Sequence, residues 1–301
     1  MSGTYKATGI NLKGMPFGET DRLLTVLTRE YGLLRAIAPG ARKHESSLRG
    51  RSGLFVVNQL LIVKGRSLDK ITQAETLESF AGLSQDLAKL TASQYLAELA
   101  LYQALSDQPQ EELFALLCDS LRQLEQLPSV HTLPFLTQTA FQLLALAGVA
   151  PQVHACCVTQ EPLIPNFASP GWFVGFSVAA GGTVMREALQ DLPIAPPSSE
   201  TTEATSSRAA ESTGSYSVNA AKPTELRLQL DAIELALLQE LADRPVQDAI
   251  EQLPDHLPAP DHPAWRLIEQ ILRHCAEYYF ERPIRSASLI DVCFKPVESF
   301  V

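Results

Sequence analysis

The chain has 301 residues, enough for about two domains and for a core that needs no disulfide or metal staple. Apolar residues make up 46% and charged residues 19%, which fits a globular protein and excludes wholesale disorder. The net charge of −10 argues by itself against a nucleic-acid partner, but the charge is unevenly spread. Residues 1–80 carry 12 Lys and Arg against 7 Asp and Glu, a net of +5, whereas residues 81–301 carry 12 against 27, a net of −15. A basic N-terminal quarter on an acidic remainder suggests a polyanion-binding surface at one end, with chance composition as the plain alternative.

The five cysteines, Cys118, Cys156, Cys157, Cys275 and Cys293, are scattered and odd in number, so they form no disulfide framework. The first residues hold no apolar leader. No apolar run approaches the roughly 18 residues of a membrane span. The expectation is a reduced, cytoplasmic protein with no membrane partner.

In chain order, residues 4–80 read as β structure. Candidate strands cover 4–12, 22–28, 33–38, 54–63 and 71–77, with Gly14, Pro16, Gly18, Gly32, Pro39, Gly40 and Gly65 as turn signals. Five short strands of this kind predict a small barrel or sandwich. Residues 40–53 (GARKHESSLRGRSG) read as a loop.

From Leu83 the period becomes helical, through Leu87, Leu90, Leu99, Tyr102 and Leu105, and again through Leu113, Leu117, Leu121 and Leu124. Thr132 reads as an N-cap with Pro134 in the first turn of a third helix ending near Gly148. Residues 149–190 are irregular. In residues 195–224, 12 of 30 are Ser or Thr, too few apolar groups to offset ordering entropy, so a disordered insertion is expected. Helices are predicted again at 226–241 and 264–280, with Asp261 and Pro263 starting the last. The expected organisation is a nucleic-acid-binding barrel over 1–80 and a helical domain over 81–301.

The chemistry is sparse. Arg35, Arg42, Lys43, His44, Arg49 and Arg51 lie within 17 residues that contain one acid, Glu45, and Lys64, Arg66 and Lys70 follow. Such a cluster, with Ser46, Ser47 and glycines that let backbone N–H groups approach, suits phosphate contacts; a solvated flexible loop is the bland alternative. Single-strand grooves combine charge with stacking aromatics. Only Tyr31, Phe17 and Phe55 are candidates, which favours phosphate contact over base reading. His154, Cys156 and Cys157 sit close together, but adjacent cysteines make a poor tetrahedral pair and no second ligand pair follows. A Cys–His nucleophile would need a pocket and an orienting group. Gly181-Gly182 lacks the lysine of a phosphate loop, and no GxGxxG or HExxH is present. Glu111-Glu112 fits an exposed helix start, where acids favour the dipole. No catalytic residues and no cofactor are assigned.

The stretches Ala7-Thr-Gly-Ile, Gly18-Glu-Thr-Asp-Arg-Leu-Leu, Leu27-Thr-Arg-Glu-Tyr-Gly, Ala38-Pro-Gly-Ala-Arg-Lys, Lys64-Gly-Arg and Ile71-Thr-Gln-Ala-Glu occur in order. Phe176-Ser with Gly181-Gly, and Arg282-Pro-Ile-Arg-Ser, follow further on. Together they resemble the RecO family of bacterial DNA repair and recombination mediators, over about 1–190 and 225–290.

The resemblance implies an α+β protein: an N-terminal five-stranded OB-fold, then a helical domain that often carries an inserted zinc module. It implies binding of single- and double-stranded DNA, annealing of complementary strands and help in loading the recombinase. The implied partners are the RecR protein and the C-terminal tail of single-stranded DNA-binding protein, in the cytoplasm at the nucleoid, without catalysis or nucleotide. At the metal the chain departs from the pattern, because the four ligand positions read Cys156, Thr159, Met185 and Ala188. No zinc is therefore expected. The alternative function is a general OB-fold nucleic-acid-binding protein without a recombination role. A third class is an enzyme that uses Cys156 or Cys157.

Overall fold

In the computed structural model the described residues are 3–190, 227–243 and 258–294. They form two compact units. One holds the residues up to Ala150 together with those from Ala236, and the other those from Pro151 to Leu235. The Ser/Thr-rich segment 195–224 lies outside the described residues.

The first unit opens with five strands: β1 (Thr4–Phe17), β2 (Asp21–Thr28), β3 (Gly32–Ala38), β4 (Val56–Val63) and β5 (Asp69–Ser79). They close in the order β1-β2-β3-β5-β4. All pairs are antiparallel except β3 with β5, joined in parallel through Ala36 opposite Asp69 and Ile37 opposite Lys70. This is the expected five-stranded OB-type barrel. Alternate residues fill it: Ala7, Leu24, Val26, Ala36, Ala38, Leu60, Ile62, Ile71 and Ala74.

Several strand boundaries differ from the sequence reading, and β5 extends two residues beyond 71–77 at each end. β1 runs five residues past position 12, through Gly14 and Pro16. A bulge between Asn11 and Lys13 realigns it on β2, and Gly14 packs close over Leu24. The turn is left to Gly18 at φ +59°. β4 begins at Val56, because Phe55 adopts a left-handed φ of 56° that no strand accommodates. Nor is 40–53 wholly irregular: Leu48–Arg51 forms one helical turn, α1, and buries Leu48 in the barrel core.

The helices of this unit are α2 (Leu87–Gln103), α3 (Glu111–Gln126), α4 (Thr132–Leu146), α5 (Ala232–Asp243) from Ala236 onward, α6 (Pro263–Phe280) and α7 (Ala287–Cys293). A 3₁₀ turn, Ala81–Gln85, precedes α2, whose N-cap Asp86 accepts the Ala88 and Lys89 N–H groups. α4 is buried almost throughout and packs against α2, α3 and α6. Leu105 falls beyond the end of α2, where its carbonyl accepts the Leu33 N–H at 2.8 Å and ties the helix exit to the barrel. Gly32 permits this approach: it has φ +65°, and a Cβ there would stand 2.1 Å from the Leu105 oxygen.

The two expected caps are displaced by one residue. Thr132 is the first helical residue after the 3₁₀ turn Ser129–His131, and its buried hydroxyl finds no partner among the described residues. α6 is capped by His262, not Asp261, through Nδ1 accepting the Ala264 N–H.

The second unit holds β6 (Val174–Ser177), β7 (Gly182–Val184) and β8 (Arg227–Leu230), ordered β7-β6-β8. So 149–190 is not simply irregular, and 226–241 is not one helix. Arg227–Leu230 extends along β6, and α5 starts after Asp231, whose Oδ1 accepts the Glu234 N–H while Glu234 accepts the Asp231 N–H. This reciprocal cap sets the boundary.

Candidate nucleic-acid interface

After β3 the chain turns at Gly40, whose N–H donates to Asp21 Oδ1 at 2.7 Å. The Arg42 N–H donates to the Thr20 carbonyl, and its guanidinium donates to the carbonyls of Gly18 and Glu19 at 3.2 and 3.1 Å. At the far end of α1, the Arg51 carbonyl accepts Nδ2 of both Asn11 and Asn58, and Asn11 Nδ2 also donates to the Gly53 carbonyl. Arg22 donates to the Ser52 carbonyl. The segment 39–53 is therefore a folded cover, anchored by Leu48 inside and by hydrogen bonds to β1, β2 and β4.

Lys43 and His44 line a shallow concavity with Gly40, Glu45, Ser46 and Ser47. Arg49 is exposed on α1 and Arg51 is half-buried. Among the described residues no carboxylate lies within ion-pair distance of Lys43, Arg49 or Arg51. Arg42, by contrast, is engaged in bracing the β1–β2 hairpin. Arg35 stands apart from this cluster, on the outer face of β3 opposite Thr25. Lys64 and Arg66 are exposed on the β4–β5 turn. Hydrogen bonds from Gly40 and Thr20, with Lys70 and Lys43 nearby, hold the Asp21 carboxyl below the usual carboxylate range.

Of the three aromatic candidates, Phe55 is buried and Tyr31 packs edge-on against Tyr5. Phe17 remains, 39% exposed at the end of β1. Sequence reasoning passed over Lys13, which shares a face with Arg35 only because of the bulge at Asn11, a feature with no signal in composition or period.

In the second unit the loops around Cys156 and Met185 meet in a knuckle that lacks a set of metal donors. Cys156 Sγ accepts the N–H groups of Thr159 and Met185 at 3.4 and 3.2 Å, and the Thr159 hydroxyl donates to Met185 Sδ at 3.7 Å. The Ala188 N–H donates to the Met185 carbonyl. Three of the four positions touch, but one thiol, one thioether, one hydroxyl and one methyl do not fit tetrahedral zinc. Among the described residues no group of three or more His, Cys, Asp and Glu could hold a metal. Cys156 is fully buried; burial works to raise its thiol, but hydrogen bonds from Thr159 and Met185 outweigh it and hold the thiol below its ordinary range, whereas burial raises the Cys157 thiol. No helix of the described residues is long and apolar enough to cross a membrane.

Comparison with known proteins decides the family. The model described as recombination protein O, N terminal, matches residues 1–80, and that described as recombination protein O, C terminal, matches residues 84–192. A protein of Acaryochloris marina named DNA repair protein RecO is 56% identical over 99% of this chain and 97% of its own length. The chain belongs to the RecO family. Proteins of the same name from a Cyanothece and a Nostoc species are 53% and 51% identical over 99% and 98% of the chain. The RecO N-terminal match coincides with the barrel and its basic cover, and the C-terminal match spans α2 to α4 and the knuckle.

Proposed function

We propose that this RecO-family chain serves DNA repair by binding single- and double-stranded DNA at the barrel and annealing complementary strands without covalent chemistry. The observation that carries the reading is the folded cover 39–53. It presents Lys43, Arg49 and Arg51 without carboxylate partners among the described residues, and Arg35, Lys64 and Arg66 are exposed elsewhere on the barrel. These cations neutralise phosphates and release counterions, which lowers repulsion between two strands. Phosphate contacts of this kind position nucleic acid irrespective of sequence. His44, in the same concavity, adds a further donor.

The acidic remainder of the chain keeps the whole from being a polycation and offers partner surfaces. The proposed partners are the RecR protein and the C-terminal tail of single-stranded DNA-binding protein, and the proposed outcome is recombinase loading in the cytoplasm at the nucleoid. Annealing of complementary strands precoated with single-stranded DNA-binding protein tests the reading. Faster annealing with the chain than without it supports a mediator. DNA binding without annealing would leave a general OB-fold binder.

A further inference from the structure

We infer that the groove bounded by the exit of α2, the start of α3 and the ends of α4 and α6 docks a basic amphipathic segment of a partner protein. Apolar side chains of that segment enter between Leu105 and Leu146, and its Lys or Arg side chains meet Glu111 and Glu112. The site lies among the helices and does not depend on the DNA-binding reading.

The groove has a volume of about 740 Å³, with Leu105, Leu113, Leu146 and Phe280 as apolar walls and Glu111 and Glu112 beside them. That size falls within the range of sites that enclose a small ligand or a few side chains. Leu113 is buried, whereas Leu105 and Leu146 are 52% and 38% exposed. Two leucines left open on one concavity form a patch, unlike apolar groups scattered singly over a surface.

The backbone holds Leu105 in place. Its carbonyl accepts the Leu33 N–H at 2.8 Å, Ser106 bridges to Gly32, and the Gln110 N–H donates to the Arg29 carbonyl at 3.0 Å. The wall is therefore formed before anything binds, which lowers the ordering cost of docking. A polar group of the lining is left unsatisfied as well. The Gln103 Nε2 is buried and finds no acceptor among the described residues. Buried donors are nearly always paired, and a backbone carbonyl of a docked segment would pair this one.

Charge selects the partner. Acids in the first turn of α3 suit the helix dipole, which accounts for their position but not for the open apolar concavity beside them. Glu111 pairs with Arg29, and Glu112 has no cation within ion-pair distance among the described residues. Arg282 is placed over the Tyr102 ring, 5.8 Å from its centroid, and no described Lys or Arg lines the groove. An apolar concavity with acids and no cation repels phosphates and acidic peptides. It complements a segment that carries Leu or Phe on one face and Lys or Arg at its flank.

The test selects a display library of random dodecapeptides on the full chain. Binding of the selected peptides to the wild type, Glu112→Lys and Leu146→Ser is then measured by fluorescence anisotropy. The selected sequences should pair a bulky apolar residue with Lys or Arg, and their affinity should fall as salt rises. Each substitution should weaken binding by roughly fivefold or more, as when an interface anchor is lost. Both positions are exposed, so the melting temperature should scarcely move. Selection of no peptide, selection of acidic sequences, or equal binding by all three proteins overturns the docking site. Sedimentation of the full chain alone gives a second readout. Self-association that Glu112→Lys abolishes would assign the groove to a second copy and overturn the partner; its absence agrees with the proposal.

Discussion

The Arg42 guanidinium donates to the Gly18 carbonyl at 3.2 Å, across 24 positions of chain. The link, with a second bond to the Glu19 carbonyl, holds the cover 39–53 against the tip of the β1–β2 hairpin. An arginine that composition groups with phosphate contacts thus organises the surface on which its neighbours act. Arg42→Ala should lower stability by about 0.5–1.5 kcal/mol, the range for lost hydrogen bonds, and should speed proteolysis within 40–47. Thermal unfolding and a timed digest check both.

Leu48 links the same cover to the barrel interior, at 8% exposure among Leu24, Leu60 and Ile62. Leu48→Ala should cost about 2–5 kcal/mol, as for other buried leucines. DNA affinity should fall with it although no cation is changed. Unfolding in urea alongside DNA titration measures the two losses together.

The knuckle yields a gain-of-function prediction. The wild type should bind no stoichiometric zinc, because only Cys156 of the four positions is a ligand. Thr159→Cys, Met185→Cys and Ala188→Cys introduced together should create a four-thiolate site, since the contacts among Cys156, Thr159 and Met185 already close the loops. Elemental analysis should then give one zinc per chain, with a melting temperature that falls on chelation. Tightly held zinc in the wild type would contradict the account.

Glu98 on α2 accepts the N–H groups of Arg285 and Ser286, the Ser286 hydroxyl and the Tyr102 hydroxyl, and so seats α7. Burial works to raise its carboxyl, but these hydrogen bonds outweigh burial and hold it below the usual range. A carboxylate depressed in the folded state contributes stability above its unfolded value, about pH 4.3, and loses it as pH falls through the folded value. Glu98→Gln should therefore destabilise the chain at neutral pH and remove part of the acid-dependent loss. Unfolding midpoints of both proteins between pH 7 and pH 3 test this.

The barrel was legible because glycines and prolines mark its turns and β-branched runs mark its strands. Its closure was not: the β3–β5 pairing rests on two registered residue pairs, Ala36 with Asp69 and Ile37 with Lys70, that no local pattern encodes. The sequence pattern reads as helix at β8 because Leu228 and Leu230 continue the apolar spacing of α5; the reciprocal cap of Asp231 and Glu234 is the signal that separates them. α7 was missed because seven residues give too short a period. At the site the cations were legible as a list. What separates a brace such as Arg42 from an uncommitted cation such as Lys43 is a carbonyl distant in sequence, and what brings Lys13 beside Arg35 is a bulge.

The salt dependence of DNA binding tests the central claim most directly. The wild type and the triple variant Lys43→Ala, Arg49→Ala, Arg51→Ala would be titrated with single-stranded DNA of unrelated sequences at several salt concentrations. Three phosphate contacts at about 0.7 each would flatten the slope of log K against log salt by up to roughly 2, alike for all sequences. The melting temperature should scarcely change, because Lys43 and Arg49 are exposed and Arg51 anchors the cover through its backbone carbonyl, which the substitution keeps. An unchanged slope with unchanged affinity would place the DNA elsewhere and reduce the cover to a solvated connector.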